Sequence, residues 1–296
     1  MPGAGAVRAI RDRIRSVQST AKVTKAMQLV AASKMRRAQD RALQSRPYAT
    51  QMRAVLAQLA GYAEGKEQES LHPLLRQRPV KHFAFIHITA DRGLAGGLNA
   101  NMNRAGAGLA LEYQPKVERV SVVTVGRKGR DFFRRAGFPS LAEFSNLGDY
   151  PGMQQILPIA RVVMEDYIAG NIDQVFIGYQ RFVSTAVQRP TVRQILPVTA
   201  PEGAEAGESV DFLFEPSPEQ LLETLLPRYV EMQVYEAVLE ARASEQSARM
   251  VAMRQATDAA KEMVSDLTLV YNKARQESIA GELLDIVGGT AALENA

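Results

Sequence analysis

The sequence predicts an α/β fold in which a small sheet domain is carried between two very long helices. Small and apolar residues recur in alternating steps of three and four near both ends of the chain, a spacing typical of helices that pair along one narrow stripe. Between the ends, short β-rich apolar runs alternate with helical stretches, the order that a Rossmann-like parallel sheet produces. We therefore expect a long antiparallel coiled coil of the N- and C-terminal helices plus a small Rossmann-like α/β domain.

The N-terminal helix is predicted from about Val7 to about Tyr62. Its stripe has ten members, of which only one is strongly polar. They are Val7, Ile10, Ile14, Val17, Ala21, Thr24, Gln28, Ala31, Met35 and Ala38. Pro47 is expected to kink this helix, because proline removes one backbone hydrogen bond and clashes with the preceding turn.

Charge is distributed unevenly between the two ends. Residues 7–46 contain eleven Lys and Arg but two acidic residues, a net charge of +9. Residues 217–296 contain seven basic and thirteen acidic residues, a net charge of −6. This opposition indicates that the two ends meet, and it leaves the first helix with surplus positive charge for an acidic partner.

The C-terminal helix is predicted from about Pro218 to about Val287. Pro218 suits a helix start, whereas Pro227 suggests an early kink or break. The clearest repeat on this helix has seven members: Met253, Ala256, Ala260, Met263, Leu267, Val270 and Ala274. These boundaries predict three domains, namely a coiled-coil helix over 1–62, an α/β domain over 63–216 and a coiled-coil helix over 217–296.

The hydrophobic pattern in the middle of the chain predicts strands and helices in alternation. The predicted strands are His82–Thr89, Val120–Val125 and Gln174–Tyr179. The predicted helices are Leu98–Tyr113, Arg127–Ala136 and Gly152–Ala169. We also expect a hairpin formed by Gln174–Val183 and Ala186–Val198, and one more short strand at Val210–Glu215.

The candidate sites of this region favour a structural explanation. The glycine-rich turn between Asp91 and Asn99 follows a strand and precedes a helix, as a phosphate-binding loop does. It matches neither established nucleotide motif, so a tight structural turn is the preferred interpretation. His82 and His87 should face opposite sides of one strand, and the chain has no cysteine. The sequence therefore predicts a fold that many enzymes use but shows no recognisable set of catalytic residues, and no cofactor is expected.

The basic first helix leaves three hypotheses open. Its charges can form a solvated face, bind nucleic acid, or meet an acidic protein. Tyr48 is the one aromatic residue near this segment, and the chain has no tryptophan. A basic coiled-coil adaptor that binds nucleic acid therefore remains an alternative to a protein-binding role.

Four blocks of sequence make the interpretation more specific. They are Ile10–Gln39, Thr89–Asn101, Tyr179–Pro197 and Ala243–Leu293. In order and in content they resemble the gamma subunit family of F-type ATP synthases, with Ala95 where many members have cysteine. This resemblance covers nearly the whole chain.

The resemblance implies a central rotor shaft. The coiled coil would turn inside a ring of three alpha and three beta subunits, and the α/β domain would form a foot on the c-ring beside epsilon. The shaft would couple proton or other ion flow to ATP synthesis or hydrolysis, with no catalytic group of its own and no nucleic acid. Membrane contact would be through the c-ring alone, at the cytoplasmic face of the bacterial plasma membrane, because no transit peptide or insertion is evident.

The resemblance also assigns contact residues. Seven positions match residues that meet the beta subunit: Met27, Lys34, Arg36, Arg37, Arg249, Arg275 and Gln276. Five apolar positions near the end of the last helix are expected to form a bearing inside the ring: Ile279, Leu283, Leu284, Ile286 and Val287. Glu215 matches a foot residue that faces the c-ring.

Overall fold

The structure is a computed structural model that describes residues 4–61, 71–199 and 217–294. The chain divides into two compact units, one formed by residues 1–30 with 250–296 and the other by residues 31–249. In the numbering used below, the helices are α1 (Ala4–Gly61), α2 (Leu98–Tyr113), α3 (Arg127–Arg135), α4 (Met153–Ile168) and α5 (Pro218–Glu294). The strands are β1 (His82–Ile88), β2 (Arg119–Val125), β3 (Ser140–Phe144), β4 (Gln174–Phe182) and β5 (Gln188–Leu196).

The long helices α1 and α5 each contribute to both units. They span 58 and 77 residues, and the helical hydrogen bonding continues across Pro47 and Pro227. A break at Pro227 is therefore wrong. The predicted domain boundaries at 62 and 216, and the predicted strand Val210–Glu215, lie outside the described residues, so the three-domain division stays a prediction.

The unit of residues 31–249 contains a five-stranded sheet in the order β3-β2-β1-β4-β5. The first four strands are parallel, and β5 returns antiparallel to β4 as the predicted hairpin. Central strand β1 is apolar on both sides because both of its faces are covered. Phe83 and Phe85 pack towards α2 and α3, whereas Ala84, Ile86 and Ile88 join a second core with α4 and the first turns of α5.

Strand β3 was not predicted from the sequence. Its five residues, Ser140–Phe144, are exposed or half-buried, and it occupies one edge of the sheet. An edge strand needs no continuous apolar run, because part of it faces water. The other predicted strands and helices of this region are confirmed with small differences at their ends.

In the unit of residues 1–30 and 250–296, α1 and α5 run antiparallel. Arg11 contacts Tyr271, and Thr24 contacts Thr257, so the partner number falls as the α1 number rises. The predicted α1 stripe is confirmed here, since all its members from Val7 to Gln28 are buried or half-buried. The described side chains of this unit include no ion pair between the helices, so the helices meet without the charge pairing that the sequence suggested.

The predicted stripe on α5 was wrong at two of its seven members. Met253, Ala260 and Ala274 are buried and Ala256 and Leu267 are half-buried, but Met263 and Val270 are 46% and 53% exposed. The half-buried alternates to these two lie one residue later, at Val264 and Tyr271. Tyr271 faces α1 because it accepts a hydrogen bond from Arg11 across the seam, and buried Thr257, which the prediction left out, contacts Thr24 there.

Candidate functional site

The candidate site lies where parallel strands β1, β2 and β3 end, within the unit of residues 31–249. In open α/β sheets, ligands bind in the crevice beyond the carboxyl ends of the strands. Asp91, just after β1, organises this edge. Its Oδ1 accepts a hydrogen bond from the backbone N–H of Arg127 at 3.1 Å, and its Oδ2 accepts one from the N–H of Asn146 at 3.1 Å. One carboxylate therefore joins the loops that follow all three strands.

The backbone at this edge is tightly packed. Gly126 follows β2 with φ 103° and donates its N–H to the carbonyl of Phe144 at 2.8 Å. A Cβ at Gly126 would lie 2.2 Å from the carbonyl oxygen of Thr89, so only glycine fits. The strand ends are thus drawn together with little room between them.

Helix α5 covers the crevice with charged side chains. Arg242 lies 3.7 Å from Asp91 and donates to Glu245 at 2.7 Å, and Arg249 donates to the other Glu245 oxygen at 2.8 Å. Arg249 also donates to the carbonyl of Gly93, in the glycine-rich turn, at 3.4 Å. Arg242 and Glu245 are each 7% exposed. Such burial of charge is tolerated because each group has an opposite charge and a hydrogen bond.

A second polar chain ties α5 to the start of α2. Ser244 donates to the carbonyl of Gln180 at 2.8 Å, and the Gln180 amide donates to the carbonyl of Leu98 at 2.8 Å. The carbonyls of Gly93 and Leu98, at the two ends of the glycine-rich turn, are therefore both engaged by side chains of the same chain. These contacts favour the interpretation of a structural turn.

The histidines of β1 occupy separate environments, on opposite faces of the strand. His82 Nε2 lies 2.9 Å from the Ser121 hydroxyl, whereas His87 Nε2 lies 2.9 Å from Asn103 Oδ1. His87 is fully buried, and this burial lowers its pKa from 6.5 to about 4. Within the ranges that the structure describes, no three His, Cys, Asp or Glu side chains are grouped as a metal site.

Two of the residues predicted to contact beta are engaged within the chain. The Lys34 ammonium lies 2.7 Å from Asp149 Oδ2, and its side chain is 34% exposed. The Arg249 side chain is only 12% exposed, because Glu245, Gln246 and the Gly93 carbonyl surround it. Arg249 therefore belongs to the charged network at the crevice, whereas Lys34 joins α1 to the loop that contains Asp149.

The other predicted contact residues present more surface. Arg36, Arg37, Arg275 and Gln276 are exposed, and Met27 is half-buried beside the α1 stripe. Tyr271, one turn before Arg275, accepts a 2.5 Å hydrogen bond from Arg11, which lowers the pKa of its phenol. Glu215 lies outside the described residues. The partner of each of these residues stays a prediction.

The five predicted bearing residues, Ile279, Leu283, Leu284, Ile286 and Val287, are between 47% and 64% exposed. A soluble chain that exposes consecutive large apolar side chains usually presents them to another protein. Their exposure makes them available to another protein, and their role as a bearing stays a prediction. None of the helices over the described ranges is long and apolar enough to cross a membrane.

Sequence reasoning missed Asp91, Asp149, Arg242 and Glu245. The spacing of Glu245 after Arg242 and before Arg249 was a usable signal, because positions three and four apart share a helix face. Asp91 and Asp149 gave no comparable signal, since their importance depends on which loops the sheet brings together.

Comparison with known proteins places this geometry in a family. A family model described as ATP synthase matches residues 6–293. An ATP synthase gamma chain of Dehalococcoides mccartyi is 56% identical over 97% of this chain and 99% of its own length. The gamma chain of Roseiflexus castenholzii is 50% identical over 97% and 98%.

Solved structures agree with the sequence relatives. The central stalk and c-ring structure of the Tetrahymena thermophila mitochondrial ATP synthase matches with a TM-score of 0.59 and 26% identity, over 79% of this chain and 99% of that one. A chain from the Euglena gracilis mitochondrial ATP synthase shares the fold with a TM-score of 0.68 and 20% identity, over 99% and 96%. The alternative of a nucleic-acid-binding adaptor finds no support in these matches. The chain belongs to the ATP synthase gamma chain family.

Proposed function

We propose that this chain is the central stalk of a membrane-bound F-type ATP synthase, and that it rotates to couple ion flow through the c-ring to ATP synthesis or hydrolysis. The observation that carries the proposal is the match to bacterial ATP synthase gamma chains along 97% of this chain. The matched solved chains come from assemblies described as central stalk with c-ring and as F1 with c-ring.

The chain would transmit torque without catalysing a reaction itself. Two features support this role. At the carboxyl ends of the strands, Arg242, Glu245 and Arg249 pair with one another and with Asp91, which joins α5 to the sheet. The antiparallel helices α1 and α5 pair along a seam, and paired helices resist twisting better than one helix does. A stiff shaft joined firmly to its sheet suits mechanical coupling.

The partners would be the alpha and beta subunits around the helix pair, and epsilon and the c-ring at the α/β domain. Arg36, Arg37, Arg275 and Gln276 are exposed and so available to beta. The exposed apolar side chains between Ile279 and Val287 offer a bearing with few directional bonds to break during rotation. Glu215 would face the c-ring, and the domain of residues 63–216 would be the foot.

The assembled complex would place this chain peripherally on the cytoplasmic face of a bacterial plasma membrane. The bacterial origin of the relatives supports this location, and contact with the lipid bilayer would be indirect, through the c-ring.

The direct test is reconstitution. The chain is mixed with alpha and beta subunits, and MgATP hydrolysis is measured on the complex isolated by size. We expect a stable complex that hydrolyses ATP faster than alpha and beta without the chain. A mixture that yields no such complex, or a complex with no gain in rate, would overturn the proposal.

The bearing has its own test within the same complex. Replacing Leu284 by Asp puts a charge among the exposed apolar side chains and is expected to slow hydrolysis at least twofold. Glu282→Asp, an exposed neighbour that keeps its charge, serves as the matched control.

A further inference from the structure

The loop between β3 and α4 contacts both long helices. It comprises residues 145–152, all within the unit of residues 31–249. Asn146 and Gly148 have φ of 60° and 77°, which turn the chain sharply. The loop is fixed to the sheet, because the Asn146 N–H donates to Asp91 and the Asn146 side chain accepts from Arg127 at 2.6 Å.

Asp149, in the middle of this loop, divides its carboxylate between the two helices. Its Oδ2 accepts from Lys34 of α1 at 2.7 Å, and its Oδ1 accepts from Gln246 of α5 at 3.3 Å. Gln246 is 4% exposed and also accepts from Arg249 at 3.2 Å. The same carboxylate is therefore connected to α1 directly and to the crevice network of α5 through Gln246.

Tyr150 adds a second contact with α1. Its carbonyl accepts from Arg41 at 3.0 Å, and the Arg41 guanidinium lies 5.0 Å from the centre of its ring. Lys34 and Arg41 are two helical turns apart, so they project from one face of α1. Two neighbouring loop residues, Asp149 and Tyr150, thus contact the same face of α1 at positions two turns apart.

These contacts contribute little to stability and much to orientation. Lys34 and Asp149 are 34% and 43% exposed, and an ion pair that reaches solvent contributes little to stability because water screens it. The two contacts on α1 nevertheless define how that helix is rotated relative to the sheet, whereas the Gln246 contact adds to the bonds that already tie α5 to the sheet through Ser244 and Arg242. Apolar packing alone is less directional, because it is roughly proportional to area.

We propose that Asp149 is a positioning residue for torque transfer, which holds α1 to the sheet domain and to α5 so that α1 does not turn independently of them. This inference rests on the proposed function. Without Asp149, α1 would keep its core packing but rotate about its own axis under load. Part of each power stroke would then be lost as rotation of α1 relative to the sheet domain.

The experiment uses the whole ATP synthase in sealed vesicles, with Asp149→Ala in this chain. ATP hydrolysis and the initial build-up of membrane potential, followed with an oxonol dye, are measured together. The coupling ratio is the initial rate of potential build-up divided by the rate of ATP hydrolysis. We expect this ratio to fall at least twofold in Asp149→Ala, while the hydrolysis rate stays within about 1.5-fold of wild type. Asp149→Asn keeps an acceptor for Gln246 but loses the ion pair with Lys34. Its ratio should therefore lie between those of wild type and Asp149→Ala.

The matched control is Asp131→Ala. Asp131 is also a partly exposed carboxylate paired with an arginine, Arg130, but that partner lies on its own helix. Its ratio should equal that of wild type. Equal ratios for wild type and Asp149→Ala would overturn the role of Asp149 and leave the proposed function intact.

Two further outcomes are decided by the same experiment. If the wild-type chain supports no ATP-driven potential, the proposed function itself fails. If Asp149→Ala prevents assembly while Asp149→Asn has the wild-type ratio, the residue is merely structural and the inference is overturned. A lowered ratio in Asp149→Asn supports the inference even if the alanine variant does not assemble.

Discussion

Thr24 and Thr257 bring their hydroxyl oxygens to 2.8 Å from each other across the seam between α1 and α5. Thr257 Oγ1 also lies 2.8 Å from the Met253 carbonyl and Thr24 Oγ1 lies 3.1 Å from the Ala21 carbonyl, so either hydroxyl can be the donor across the seam. Both residues are nearly buried. A polar pair in an otherwise apolar seam is satisfied only when the two helices are in register, so this pair fixes the axial position of α1 against α5.

The first prediction concerns this pair. Thr24→Val or Thr257→Val alone should lower the free energy of unfolding by about 1 kcal/mol, because one hydroxyl loses its partner. The double variant should cost clearly less than the sum, since both polar groups are then replaced by methyl groups of similar shape. Urea unfolding of the four proteins gives the coupling energy. Strictly additive effects would show that the hydroxyls do not interact.

A pair of glycines on α2 makes the second prediction. A Cβ at Gly106 would lie 2.7 Å from the His87 ring, whereas a Cβ at Gly108 would meet nothing within 4 Å. Gly106→Ala should therefore destabilise the protein by about 1–3 kcal/mol through overpacking. Gly108→Ala, on the same helix, should stabilise it by up to about 1 kcal/mol because alanine favours helix. Thermal unfolding of both variants gives the changes in Tm. Changes of the same sign for Gly106→Ala and Gly108→Ala would contradict the close packing of Gly106 against His87.

The third prediction is a pH dependence that originates from His87. Burial lowers its pKa from 6.5 to about 4. At a pH between these two values, His87 is therefore protonated in the unfolded chain and neutral in the folded chain. The contribution is fully present above pH 6.5 and is lost as pH falls towards 4, by about 3 kcal/mol in total. In His87→Gln the stability should change less over this window. Urea unfolding midpoints of both proteins at pH 7 and pH 4.5 measure this difference. An equal fall in the midpoint for wild type and His87→Gln would contradict the prediction.

Glu240 provides a prediction of opposite sign. Burial raises the pKa of its carboxyl, against the opposing effects of a Phe182 backbone hydrogen bond and of Arg181. A raised folded pKa means that the contribution is present below the unfolded pKa and is lost as pH rises through the folded value. Glu240→Gln should therefore stabilise the protein at pH 7, by at most about 1 kcal/mol because solvent still reaches the group.

The check on Glu240 is to repeat the unfolding near pH 3.5. There the wild-type carboxyl is protonated in the folded chain, so the advantage of Gln should largely disappear. A destabilised Glu240→Gln protein at pH 7 would instead indicate that the ionised carboxylate is held favourably by Arg181 and Arg193.

The sequence predicted most of the fold because the fold depends on repeating patterns. The α1 stripe was correct since its members are small or apolar at strict spacing. The α5 stripe failed at Met263 and Val270, and it left out Thr257 and Tyr271, which face α1 because each has a partner on α1 that only the fold provides. Strand β3 was missed because an edge strand carries no apolar run.

The candidate site was predicted less well for the same physical reason. The resemblance placed Lys34 as a contact with another subunit, but its contact with Asp149 depends on a loop far away in sequence. The pairing of Asp91 with Arg242 is of the same kind. Such pairings are decided by how the sheet orders its strands, whereas the pairing of Arg249 with Glu245 could have been found from their spacing on one helix.

The paired charges beyond β1, β2 and β3 have a consequence for a machine that works among nucleotides. Arg242, Glu245 and Arg249 are covalently part of the chain, so their pairing with one another and with Asp91 is independent of any solute concentration. The contacts that join α5 to this edge of the sheet therefore need no metabolite to complete them.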